Sequence, residues 1–252
     1  MSRPRPVRPS GLVCWIALGA LCGCIDVEGL EFDLGGGAPV GGDTGNGAAS
    51  QGGGGAGART YFDVVMEDSP LAYFRFGEAP GTAGALDASG NGEDAVYFAG
   101  EGTFALGQAG ALANDDDTAL RLADGAYVVL SPNTFDFSGH REYSVEGWVQ
   151  HESGDQGGAC WTVENELGQG FITFFYPDAI FHKRHDAAGG TEEIQQNQTP
   201  LQTPGTYHHV VVTFDGAQGQ LYVDGAQVLA RPQAFDFELP LITDAIIVAD
   251  TS

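Results

Sequence analysis

The sequence predicts an all-β chain, a sandwich or barrel of short antiparallel strands carried behind a polar, glycine-rich stretch. Three observations predict it. Tyr207 to Val228 reads YHHVVVTFDGAQGQLYVDGAQV, three β-prone runs broken at Asp215-Gly216 and Asp224-Gly225. Asp-Gly between such runs marks a hairpin, because a type I′ turn needs positive φ at both central residues. Elsewhere apolar spacing is two-fold or continuous, as in Tyr143 to Gln150 (YSVEGWVQ). Finally, Gly, Pro, Asp and Asn recur every several residues, and no stretch reads as a helix.

The N-terminus comes first. Arg3, Arg5 and Arg8 precede Gly11 to Leu21, an apolar run too short to span a bilayer, the pattern of an export signal. Leu21-Cys22-Gly23-Cys24 resembles a bacterial lipobox, with Cys22 where Ala or Ser is usual. The expectation is a signal peptide over 1–23 and lipidation at Cys24; the alternative is an ordinary signal peptide that happens to contain cysteine. Cleavage there leaves seven basic and 34 acidic residues, a net charge of −27 against −24 for the whole chain. Residues 24–58 have almost no apolar pattern and include Gly35 to Gly37 and Gly52 to Gly55. They cannot bury enough to offset their ordering entropy, and read as a flexible linker with a reach of roughly 30 Å. Ile25 after Cys24 is not the acidic inner-membrane retention signal, which points to the outer membrane or cell surface, on its outer or periplasmic side.

The folded domain is expected over 59–252. Its candidate strands are Tyr61 to Met66, Leu71 to Phe76, Asp94 to Phe98, Thr118 to Leu122, Ala126 to Leu130 and Tyr143 to Gln150. Ala159 to Glu166, Phe171 to Tyr176, Ala179 to His182, the three runs of the hairpin segment and Ala245 to Val248 complete them. In the hairpin, Tyr207, His209, Val211 and Thr213 fall on one face, and His208, Val210, Val212 and Phe214 on the other. Cys160 is the one cysteine left after the linker, so no disulfide forms within the domain and the core must hold it together. With 42% hydrophobic residues it can.

These residues carry a resemblance. Tyr207-His208-His209-Val210-Val211-Val212-Thr213-Phe214-Asp215-Gly216 followed by Leu221-Tyr222-Val223-Asp224-Gly225 is similar to the signature hairpin of LamG-like jellyroll domains, the concanavalin A-like lectin/glucanase group. Tyr73-Phe74-Arg75-Phe76, then Asp87 to Gly92 (DASGNG), and Val145-Glu146-Gly147-Trp148-Val149 match further family strands. The resemblance covers Tyr61 to about Val248 and implies a two-sheet antiparallel jelly-roll sandwich. Family members usually close with a further strand and a short helical tail. Here the chain stops at Ser252, so the expected domain lacks its closing C-terminal strand.

Charge excludes one class of partner. With a pI near 4.2 and no basic stripe, the chain cannot displace counterions from phosphates, so nucleic acid is not expected. The membrane would be met through the lipid anchor alone. Calcium is a candidate cofactor: Asp87, Asn91 and Asp94 share a glycine-rich turn, and Asp115 and Asp117 lie in an acidic turn before a strand. Hard cations take several oxygens from such loops, and related domains often hold calcium at a loop rim. The competing reading is Asx turns that satisfy local backbone donors. His208 and His209, adjacent on one strand, cannot chelate one metal together.

For ligands, Trp161, Tyr176 and Phe181 could stack on pyranose rings, with Asn165, Gln169 and Asn197 fixing hydroxyls. Ala187 to Pro204 reads as a long polar loop of the kind that carries specificity. Glu164 and Glu166, two apart on a strand, share a face as a retaining glycosidase requires, but the Glu-x-Asp-x-x-Glu-like pattern of related glucanases is absent. Three functions therefore stand: a non-catalytic module binding carbohydrate or an extracellular protein, a glucanase-like glycoside hydrolase, and a structural or adhesion domain of the cell envelope.

Overall fold

The computed structural model describes residues 60–113, 115–129, 142–151, 161–165, 167–176, 178–186, 188–197 and 203–232 in backbone and side chain. Residues 11–14, 16–19, 130, 135–136, 159–160, 241–242 and 245–250 are described as backbone strand. Cys24, the 24–58 linker, Glu166 and the chain end at Ser252 lie outside the described residues, as does the Cys160 side chain.

Two antiparallel sheets face each other, as an all-β sandwich requires. The larger has the order β17 (Ala226–Pro232), β16 (Gln218–Val223), β15 (His208–Asp215), β10 (Glu142–His151), β1 (Gly11–Cys14), β7 (Thr118–Ala123) and β6 (Thr103–Ala109). β2 (Ile16–Gly19) runs on from β1, pairing β10 on one side and β3 (Ala72–Phe74) on the other. The apolar run read as part of an export signal is thus a strand of this sheet in the intact chain. The second sheet has the order β14 (Thr191–Asn197), β13 (Ala179–His185), β12 (Gly170–Tyr176), β11 (Ala159–Glu164), β19 (Ala245–Asp250), β8 (Tyr127–Leu130), β5 (Ala95–Phe98) and β4 (Gly84–Ala85). β9 (Phe135–Asp136) and β18 (Leu241–Ile242) pair apart from both.

The meander β15–β16–β17 forms where the two Asp-Gly signals place it. Asp224 and Gly225 both take positive φ, +52° and +77°, as a type I′ turn demands. Asp224 also ties the turn back to β15: its Oδ1 accepts the His209 N–H at 3.0 Å and its Oδ2 lies 2.7 Å from His208 Nδ1. At Gly219 a Cβ would come within 2.5 Å of the Phe214 ring, so no larger residue fits there without displacing it. From this hairpin Val210, Val212 and Phe214 turn inward to join Tyr143, Val145 and Val149 of β10. Opposite them lie Trp161, Val163, Phe171, Phe175 and Ile180 of the second sheet. Burial of each such side chain contributes about 1.5–3 kcal/mol.

Two expectations are corrected. Tyr61–Glu67 is a helix, α1, not a strand. Thr60 caps it, accepting the Asp63 N–H at 3.2 Å while Asp63 Oδ2 accepts the Thr60 N–H at 2.8 Å, a reciprocal capping box. That local gain outweighs the strand preference of its apolar run. The polar segment read as a loop contains strand β14. It is an edge strand, so Glu193, Gln195 and Asn197 face solvent while Glu192 and Ile194 turn inward.

Candidate functional site

Alternation along three neighbouring strands builds the site. Phe171, Thr173 and Phe175 of β12 point into the sandwich, with Ile180, His182 and Arg184 of β13 beside them. Phe174 and Tyr176 therefore point outward, with Phe181 and Lys183. Register sets Phe174 opposite Phe181 and Phe181 opposite Gln195. One step along, Tyr176 lies opposite Ala179 and Ala179 opposite Asn197. The small Ala179 side chain sinks that row below its neighbour. The result is a groove of about 440 Å³ walled by Phe174, Tyr176, Phe181, Lys183, Gln195 and Asn197, with Asp178 at the β12–β13 turn.

The aromatic wall is ordered by its own contacts. Tyr176 meets Phe181 edge to face, with centroids 5.6 Å apart and planes at 82°, and stacks beside Phe174 at 6.2 Å. Lys183 Nζ lies 6.0 Å from the Phe174 centroid and 3.1 Å from Glu193 Oε2, so its charge is met by a neighbouring carboxylate. Gln195 Nε2 donates to Asn197 Oδ1 at 2.6 Å. Half-buried rings next to amides offer apolar faces to C–H surfaces and donors and acceptors to hydroxyls.

Of the six residues expected to bind ligand, the structure brings Tyr176, Phe181 and Asn197 together. Trp161 is withdrawn: it is fully buried, edge-on to Phe175 at 4.5 Å. Asn165 and Gln169 occupy the turn at the far end of β12, seven residues or roughly 20 Å from Tyr176. There Asn165 Nδ2 donates to Gln169 Oε1 at 2.9 Å, and Asn165 Oδ1 accepts the Leu167 and Gln169 N–H groups. Phe174, Lys183, Gln195 and Asp178 were not anticipated. Counting back two from Tyr176 would have found Phe174; Gln195 depends on the strand identity of β14 and Lys183 on the extension of β13 to His185.

The acidic turns are occupied by protein donors. Asp87 accepts from the N–H groups of Tyr73, Ser89, Gly92 and Glu93 and from the Ser89 hydroxyl. Burial alone would raise its carboxyl, but these hydrogen bonds outweigh it and hold the group below the usual carboxylate range. Asp94 Oδ1 accepts the Asp87 N–H, and Asn91 donates to the Pro70 and Leu71 carbonyls. Arg75 spans Asp115 and Asp117, its Nη2 3.2 Å from Asp115 Oδ1 and its Nε paired with Asp117 Oδ2. Among the described residues no group of three or more His, Cys, Asp or Glu is arranged to hold a metal ion. Glu164 lies 3.5 Å from His185 Nδ1; desolvation raises its carboxyl and His185 offsets part of that.

Residues 122–241 match the family model of the concanavalin A-like lectin/glucanases superfamily. No curated protein matches the chain. Among solved structures it is similar to the binding domain of botulinum neurotoxin serotype D, at 13% identity and a TM-score of 0.47, covering 71% of this chain and 44% of that one. The receptor binding domain of the C/D mosaic serotype is similar at 13% identity and a TM-score of 0.49, over 66% and 40% of the two chains. A mutant of HCR D/C VPI 5995 reaches 0.52 at 11% identity, over 73% and 44%. The chain spans less than half the length of these structures, and the likeness is one of fold.

Proposed function

We propose that this is a non-catalytic binding module that takes a carbohydrate chain against the β12–β14 groove. The observation that supports it is the convergence, in one groove on the open sheet face, of Phe174, Tyr176 and Phe181 with the amides of Gln195 and Asn197. Lys183 is paired with Glu193 and the chain carries −24, so the groove favours a neutral sugar over a sulfated or carboxylated one. Calorimetric titration with oligosaccharides found by array screening tests the reading. Tyr176→Ala and Phe181→Ala should each weaken binding by about 1–3 kcal/mol, the worth of a buried aromatic anchor. Folded variants that bind as tightly as the parent would overturn it, and exclusive binding of an extracellular protein would replace the ligand class. The same reading places the module outside the cytoplasm on a lipid at Cys24, which metabolic lipid labelling of the parent and of Cys24→Ala would test.

A further inference from the structure

Among the described strands, the position beside β10 in the larger sheet is filled by the N-terminal segment. β10 is paired with β15 along one edge, Glu142 opposite Asp215 through Val149 opposite His208. Along its other edge it meets β1, Leu12 opposite His151 and Cys14 opposite Val149, and then β2, Ala17 opposite Glu146 and Gly19 opposite Ser144. The two halves keep a single register across Trp15. On the far side the same segment pairs first with β7, Gly11 opposite Ala123 to Cys14 opposite Leu120. It then pairs with β3, Ile16 opposite Phe74 to Leu18 opposite Ala72. β10 therefore stands two ladder spacings of about 4.8 Å from β7 and β3, with one strand between.

That position is enclosed on both faces. Its floor is the sandwich core, where Ala72, Phe74, Leu120, Leu122, Val145 and Val149 are buried beside it. Its roof is α1, which reaches all three flanking strands. Tyr61 meets Trp148 of β10 edge to face at 6.3 Å, Phe62 stacks on Tyr73 of β3 at 6.1 Å, and Tyr61 packs with Ala119 of β7. A strand covered on both faces is met by a continuous apolar run, and Leu12 to Leu18 (LVCWIAL) is one. An empty position would strand buried N–H and C=O groups on β3, β7 and β10, an arrangement proteins avoid.

We infer that the channel between β10 and the β7/β3 pair, roofed by α1, is a strand-acceptor site. Its ligand is an extended apolar peptide of about nine residues, antiparallel to β10 and of the chemistry of Gly11 to Gly19. In the intact chain that peptide is the protein's own N-terminus. Cleavage before Cys24 removes it and opens the channel to a strand of the same kind from another polypeptide. That second half rests on the export reading of 1–23, which N-terminal sequencing of the exported chain tests separately.

Hydrogen–deuterium exchange on the intact 252-residue chain, made without export so that its N-terminus stays, reads the first half. Residues 11–14 and 16–19 should exchange on the order of 100-fold more slowly than the same sequence as a free peptide. Exchange at free-peptide rates while 118–123 and 142–151 stay protected would overturn the inference. For the second half, a protease site placed at Gly52 to Gly55 of the full chain allows the leader to be cut after folding. A labelled synthetic peptide of residues 11–19 should then displace the cut fragment and restore protection of 72–74, 118–123 and 142–151. The same peptide with Val13→Pro and Ala17→Pro, lacking two ladder donors, should not. Release of the fragment with no change in exchange of those three strands, or equal uptake of both peptides, would contradict the proposal.

Discussion

The Tyr143 hydroxyl of β10 meets His182 Nε2 of β13 at 2.7 Å, joining the two sheets through the centre of the sandwich. His182 Nδ1 lies 2.8 Å from the Thr173 hydroxyl. A neutral imidazole has one donor and one acceptor nitrogen, and the two hydroxyls complement both. Desolvation, reinforced by the nearby Arg184, holds His182 well below its ordinary range, and desolvation holds the Tyr143 phenol well above its own. Tyr143→Phe keeps the ring stack on Phe171 at 4.6 Å but leaves His182 short of a partner. It should cost about 1–3 kcal/mol, read as a lower urea midpoint with an unchanged slope.

Stability should fall as pH drops below about 6.5, the unfolded histidine pKa. His182 has a depressed pKa in the fold, so in that window the unfolded chain binds a proton that the folded chain refuses. The unfolded state gains from acid, and stability rises with pH until the unfolded group is neutral. The slope for one such histidine approaches about 1.4 kcal/mol per pH unit. Asp87 and Asp224, held low by their hydrogen bonds despite burial, lose their contributions further down, through and below the ordinary carboxylate range. Thermal melts from pH 8 to 5 check this, and His182→Gln should flatten the upper part of the profile.

Arg184 and Glu192 form the buried ion pair of the β13–β14 ladder, with side chains 0% and 8% exposed. The Arg184 guanidinium also lies 3.6 Å over the Phe214 ring. Removing one partner leaves a buried charge uncompensated, so Glu192→Ala should destabilise by about 3–5 kcal/mol. Replacing both, Arg184→Met with Glu192→Leu, should cost much less. Chemical denaturation of the single and double variants distinguishes a required pair from a merely tolerated one.

Asp224 carries both a left-handed backbone and two hydrogen bonds, and substitutions separate these roles. Asn tolerates φ near +52° and can still accept the His209 N–H, so Asp224→Asn should cost under about 1 kcal/mol. Asp224→Ala loses the acceptor and strains the turn, and should cost about 1–3 kcal/mol. Urea midpoints of the two variants test the order.

The parts legible in the sequence were those where one local rule dominated. Asp215-Gly216 and Asp224-Gly225 marked the meander, and the alternation of YSVEGWVQ set Tyr143, Val145 and Val149 on one face, which the structure turns inward. α1 was missed because Tyr61, Phe62, Val64 and Val65 read as a strand, while its cap rests on Thr60 and Asp63, a weaker signal than Ser or Thr followed by Glu. β14 was missed because an edge strand needs little apolar content: Ile194 alone packs inward, and Glu192 is buried through Arg184, a partner no local pattern reveals. The site was half legible. Tyr176, Phe181 and Asn197 converge because β12, β13 and β14 lie side by side. Trp161 could have been placed inside by phase, since Trp161 and Val163 alternate into the core, opposite the buried Thr173 and Phe171 of β12.

The most direct test of the central claim is glycan-array binding by the intact protein and by the Tyr176→Ala, Phe181→Ala double variant, each with millimolar calcium and with EDTA. Selective binding by the parent that the folded double variant loses is the predicted result, and the EDTA arm reports whether a cation supports it. A folded parent that binds no glycan in either buffer, or a double variant that binds as the parent does, would contradict the account.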